Sequence, residues 1–192
     1  LFFDVTLSDE TNCGSEWSED SVEAIQNFMN SGGSVFVQLE APSNSCYNFK
    51  LDTIVNPYLV SDTVTQLDEF SRDFTVVSTL PTNKQSLLTT PNDIAGSTLI
   101  EFFGGAFEGI DSDAGFITSD NGFVAAVWTD DEVTVPGLKI MIYSDFNVYF
   151  YTSDGPEFEN MVNFLLYDDI VDECDGIECG FGIYGGECPN TC

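Results

Sequence analysis

The residues of this chain with chemistry in them are six cysteines and several knots of carboxylates. The cysteines are Cys13, Cys46, Cys174, Cys179, Cys188 and Cys192, and no histidine accompanies them in 192 residues. Zinc sites repeat CxxC units or add imidazoles. An even set without them, four crowded into the last nineteen residues, predicts disulfides formed in an oxidising compartment. A redox-active pair is disfavoured, because neither a CxxC spacing nor a basic neighbour is present to favour a thiolate.

The carboxylates offer a second chemistry. Asp111-Ser112-Asp113 with Asp120, and Asp130-Asp131-Glu132, bring together the hard oxygen donors that Ca2+ takes. Asp111, Asp113 and Asp120 are thus the candidate metal ligands, although their run lacks the third acidic position and terminal Glu of an EF-hand loop. Solvated acidic loops are the competing reading, and no cofactor is firmly implied. Two carboxylates could also serve as acid and base in glycoside hydrolysis, but no motif singles out a pair. Serine hydrolysis lacks both a G-x-S-x-G elbow and a histidine. The run Gly104-Gly105-Ala106-Phe107-Glu108-Gly109 has no Lys to reach a phosphate. The residues therefore predict that the protein is not an enzyme.

Charge sharpens the exclusions. Four Lys and Arg face 33 Asp and Glu, a formal charge of −29. Nucleic-acid binding requires cationic groups that are scarce here. With 43% hydrophobic residues and 17 Phe, the chain can bury a substantial core, unlike disordered acidic proteins. Self-repulsion of such a surface destabilises the compact state unless salt or bound cations screen it. A saline or calcium-containing exterior meets that need, as does a high-salt cytoplasm; the cysteines favour the exterior. No apolar run reaches the roughly 20 residues that span a bilayer, and Leu1-Phe2-Phe3-Asp4 has no basic leader region. A secretory signal would have been removed or would lie upstream.

The elements that must position these groups read as follows. Phe2–Leu7 is a strand; Ser18 or Asp20 caps a helix with Val22, Ile25, Phe28 and Met29 on one face, ended by Gly32-Gly33. Ser34–Leu39 is the next strand, so the three form a crossover unit of a parallel sheet. Cys13 and Cys46 follow its two strands, which would bring their loops together for a disulfide worth about 3–4 kcal/mol on the chain-entropy argument. Asp9, Glu40, Asp145 and Asn147, with Glu10 nearby, would line the carboxyl edge of that sheet, where open α/β sheets bind ligands. They could hold a cation or accept hydroxyl hydrogen bonds from a glycan, with Trp17, Tyr47 and Phe146 close by. Further on, Leu51–Tyr58 suggests a short helix broken near Pro57, and Phe74–Val77 and Leu99–Phe103 suggest strands. Phe116–Thr118 and Phe123–Trp128 form a hairpin around Asn121-Gly122, Leu138–Tyr143 is a buried strand, and Pro156 opens a helix burying Met161, Val162, Leu165 and Leu166.

The run EAIQNFMNSGGSVFV within Val22–Leu39 resembles the helix–Gly-Gly–strand signature of class I glutamine amidotransferase-like domains. LDTIVNPYLV (51–60), KIMIYSDFNVYF (139–150) and ENMVNFLL (159–166) extend the resemblance over most of residues 1–167. Non-enzymatic relatives of this kind include intraflagellar-transport and oligosaccharyltransferase subunits. The resemblance implies an α/β fold with a mostly parallel, flavodoxin-like sheet flanked by helices. Without a histidine or a cysteine in a G-x-C-x-G elbow, the family's catalysis is not implied for any residue here. The tail Cys174-x4-Cys179-x8-Cys188-x3-Cys192 resembles the first four cysteines of an EGF-like module, which would pair Cys174 with Cys188 and Cys179 with Cys192. Spacing alone allows three pairings.

The expectation is then two units: residues 1–167, an amidotransferase-like α/β domain, and residues 168–192, a linker with an EGF-like disulfide-rich segment. The expected function is a secreted, extracellular or cell-surface structural or adhesive protein of a filament or coat. It would assemble with itself or with other extracellular proteins, perform no chemistry and bind no nucleic acid. A carbohydrate-binding module and a carboxylate-dependent hydrolase are the alternatives.

Overall fold

The computed structural model describes residues 3–4, 19–39, 51–71, 73–99, 104–144 and 155–166. Nine strands lie in one sheet: β1 (Phe3–Asp4), β2 (Val35–Gln38), β3 (Thr65–Ser71), β4 (Phe74–Val76), β5 (Thr98–Leu99), β6 (Gly104–Glu108), β7 (Gly115–Thr118), β8 (Phe123–Trp128) and β9 (Ile140–Tyr143). Among the described residues three α-helices accompany it: α1 (Glu19–Asn30), the single turn α2 (Ser86–Thr89) and α3 (Pro156–Leu166). The sheet order is β1-β2-β9-β8-β7-β4-β5, with the β3–β6 pair branching from β8.

The crossover unit forms as its residues predict. Acidic Glu19 and Asp20 occupy the first turn of α1, where they complement the helix dipole. Ile25 and Met29 are buried, and Gly32 follows the helix at φ +84°, a left-handed conformation that glycine adopts without a Cβ penalty. The chain then enters β2 parallel to β1, and β9 lies parallel on the other side of β2.

The mostly parallel sheet expected beyond this unit is not there. Parallel pairing stops at β9; β9–β8, β8–β7, β7–β4, β4–β5 and β6 with β3 and β8 are all antiparallel. The fold is α/β with a mixed sheet and few helices. The physical reason is connection length: β7 and β8 are joined by four residues, which can only reverse the chain. Two strands, β3 and β6, escaped the sequence reading because polar TQLDEFS and glycine-rich GGAFE lack a strand's apolar signature.

Successive side chains of a central strand serve opposite faces, and the core divides accordingly. Val35 and Val37 of β2, Ile140 and Ile142 of β9 and Trp128 of β8 pack with α1 and the turns at 51–58. Phe36, Met141, Tyr143 and Val127 pack on the other face with Leu87 and Leu88 of α2 and Met161, Phe164 and Leu165 of α3. Val162 is only half-buried and Leu166 is 45% exposed, so α3 is rotated from the expected face. Asn160 takes the buried position, where its amide donates to the carbonyls of Leu87 (3.0 Å) and Asn92 (2.8 Å) and accepts from the Asn92 N–H (2.9 Å). A polar side chain is buried on that face because it satisfies the backbone of the loop after α2.

Candidate functional site

Four loops converge at one end of β8, beyond Trp128: 59–62, 81–84, 111–113 and 129–132. Leu59 and Val133 form an isolated antiparallel bridge, backed by Val60 N–H to Glu132 O (2.9 Å) and Thr134 N–H to Tyr58 O (2.8 Å). These bonds fix the first loop to the fourth. Between them opens a cleft of about 340 Å³, lined by Ser61, Asp62, Asn83, Asp111, Asp113, Trp128, Asp131 and Glu132.

The lining is organised by a buried cation. Lys84 is fully buried, and its Nζ donates to Glu132 Oε1 (2.6 Å) and to the Asp113 carbonyl (2.9 Å). Local sequence explains its burial: Lys84, Leu87 and Leu88 share helical spacing, so the lysine stands on the face that packs into the core. The second oxygen of Glu132 accepts from the Thr129 N–H (3.1 Å), closing a capping box at the turn 130–132. Asp130 starts that turn at φ +55°, and its Oδ2 accepts from Asn83 Nδ2 (2.8 Å).

The other wall is held by Asp62. Its Oδ2 accepts from Trp128 Nε1 (2.8 Å) and from the Asp111 N–H (3.2 Å). Asp111 Oδ1 in turn accepts from the Asp113 N–H (3.1 Å), a local turn that Asp favours. The cleft thus gathers five carboxylates above a single buried ammonium. Such a site attracts cations, ammonium and guanidinium groups among them, and repels phosphates and nucleic acid. It contains no imidazole, and among the described residues no basic side chain lines it, Lys84 lying buried behind Glu132.

Asp111 and Asp113 of the expected metal set lie at this cleft, whereas Asp120 stands at the far end of β7, roughly 20 Å along the strand direction. The three therefore do not form one ligand set, and no cluster of acidic or other ligand side chains among the described residues suits a metal ion. Asp62, Lys84 and Glu132 as a unit escaped sequence reading, since no motif links residues so far apart. The carboxyl-edge residues Asp9, Glu40, Asp145 and Asn147, all six cysteines and the segment 168–192 lie outside the described residues.

Two further polar groups support the frame. Lys139 donates from Nζ to the Phe164 carbonyl (2.9 Å), satisfying a helix-terminal acceptor of α3, and lies 4.8 Å from the Phe164 ring centroid. Burial pushes the Tyr58 hydroxyl above its ordinary pKa of 10.0, partly offset by a hydrogen bond with Asn30; the hydroxyl donates to the Gln26 carbonyl (3.3 Å). Among the described residues no helix is long and apolar enough to cross a membrane.

No protein-family model matches the chain, and no curated protein matches it in sequence. A solved structure does: the mmIFT52 N-terminal domain is similar with a TM-score of 0.54 and 12% identity, covering 80% of this chain and 74% of that one. At that identity the likeness is one of fold. It corrects the family reading, because the matched fold is an intraflagellar-transport domain with a mixed sheet, not a glutamine amidotransferase-like domain carrying an EGF-like segment. The helix–Gly-Gly–strand run misled because Gly32 performs a general task, ending a helix before a strand, and so marks no particular family. The same likeness overturns the secreted structural or adhesive function, with its filament or coat, and the extracellular location: the neighbouring fold belongs to a transport-complex subunit.

Proposed function

We propose that this chain is a non-catalytic, protein-binding domain of an intracellular multi-subunit complex of the intraflagellar-transport kind. The observation that carries the reading is the fold shared with the mmIFT52 N-terminal domain over 80% of the chain. The chemistry of the cleft supports it. Asp62, Asp111 and Glu132 are hydrogen-bonded to backbone N–H groups, to the Trp128 indole or to Lys84 in roles that build the loops, and the lining residues offer no nucleophile with an adjacent base. What remains is a concave acidic surface suited to a cationic segment of a protein partner.

Native affinity purification of the tagged chain from its own cells tests this. A defined multi-subunit assembly, weakened by Asp131→Lys without loss of the chain's own folding, is expected. Recovery of the chain alone at every salt concentration, or turnover on a hydrolase panel, would remove the proposal.

A further inference from the structure

We infer that Asn121 is a site of spontaneous covalent modification, converting through a cyclic imide to aspartate and isoaspartate at the joint between the β3–β6 pair and the main sheet. Asn121-Gly122 is the one Asn-Gly pair in the sequence. In the reaction the Gly122 backbone nitrogen attacks the side-chain carbonyl carbon of Asn121. A C–N bond forms, the side-chain amide C–N bond breaks, and the nitrogen's proton leaves with the amide as ammonia. Water then opens the ring at either carbonyl, giving aspartate or isoaspartate.

The turn leaves this attack open. A two-residue Asn-Gly hairpin turn places its asparagine at positive φ, but Asn121 is not among the positive-φ residues. Instead the Ser119 N–H (2.8 Å) and Oγ (3.1 Å) both donate to the Gly122 carbonyl, and the Asn121 N–H donates to Ser119 Oγ (3.3 Å). These bonds hold the turn without using the Gly122 N–H, which makes no hydrogen bond among the described residues. Gly122 has no side chain to shield its nitrogen, and both residues are partly exposed to the water the second step consumes.

The position gives the change a structural effect. Phe107↔Phe123 is the one register pair joining β6 to β8 among the described residues, immediately beyond this turn. A Cβ on Gly122 would lie 3.1 Å from the Phe107 carbonyl, so the turn packs closely against β6. Isoaspartate lengthens the backbone by a methylene there and sets a new negative charge beside Asp120. Both changes loosen the joint on which β3 and β6 hang.

The test holds the native protein in mildly alkaline buffer at physiological temperature, beside the urea-unfolded chain and an Asn121→Gln variant. Samples are read by peptide mass spectrometry, isoaspartyl-methyltransferase labelling and hydrogen exchange. Loss of the Asn121 amide before that of any other asparagine is expected in the folded protein. Methyl labelling should be absent at this peptide in Asn121→Gln, and β6 amides should exchange faster in aged protein than in fresh. Retention of the Asn121 amide in the folded protein, while the unfolded chain loses it, overturns the assignment. So does labelling that persists at this peptide in Asn121→Gln. Unchanged β6 exchange in aged, converted protein overturns the coupling to the joint. Should Asn121→Gln fold poorly, the wild-type time course against the unfolded chain decides the assignment.

Discussion

Lys84 Nζ lies 2.6 Å from Glu132 Oε1, with the lysine side chain 1% and the glutamate 27% exposed. The two partners are therefore unequal: the cation is committed to the interior, while the anion keeps one side toward the cleft. Removing the anion strands a buried ammonium; removing the cation leaves a carboxylate that water can reach. Glu132→Gln should cost about 3 kcal/mol and Lys84→Met about 1–2 kcal/mol. Urea denaturation of both variants checks this, and a larger loss in Lys84→Met would show that the asymmetry has been misjudged.

Asp131 is an exposed carboxylate on the acidic cleft, and like charges surround it. Asp131→Asn should raise stability by about 0.5 kcal/mol at low ionic strength, a gain that fades as salt screens the repulsion. The wild type should likewise show a urea midpoint that climbs with sodium chloride. A midpoint flat in salt for both proteins would contradict the repulsion argument.

Tyr58 adds a pH dependence at the alkaline end. Burial raises its pKa in the folded state, so folding favours the protonated hydroxyl. That contribution is fully present below the unfolded value of 10.0 and is lost as pH rises through the raised folded value. Tyr58→Phe should therefore flatten the loss of stability above pH 10.0, while costing about 1 kcal/mol at neutral pH through the lost bond to the Gln26 carbonyl. Thermal melts of both proteins across that range give the comparison.

Asn160 clamps the loop after α2 to α3 with bonds to Leu87 and Asn92. Asn160→Asp replaces a donor by a carboxylate facing two carbonyls and should cost about 3 kcal/mol, more than Asn160→Ala at about 2 kcal/mol. Differential scanning calorimetry orders them; the reverse order would mean the amide nitrogen is not the working end.

Local devices were legible in the sequence and long-range ones were not. Ile25 and Met29 on one helical face, Gly32 after it, and the hairpin around Asn121-Gly122 each declare themselves within a few residues, and each was found where the pattern placed it. β3 and β6 stayed hidden because their pairing rests on long-range contacts: Gln66 covers Gly105, a position whose missing Cβ makes room for that side chain. The cleft joins Asp62, Lys84 and Glu132 across 22 and 48 positions of sequence, so only the sheet could reveal it. Asn160 gives no core signal in the sequence because its type is polar, and its burial follows from a loop contributed 68 residues earlier.

Lys84 and Lys139 both point inward, one fully buried and one 7% exposed. Two of the chain's four cationic side chains are thereby withdrawn from the enzymes and reagents that write on lysine. Acetyl, methyl or ubiquitin transfer would find no described lysine to act on while the fold is intact. Limited treatment with an acylating reagent should leave both residues unlabelled in the native protein and label both once it is unfolded. At Lys84 and Lys139, modification becomes a report that the fold has opened, not a signal laid on its surface.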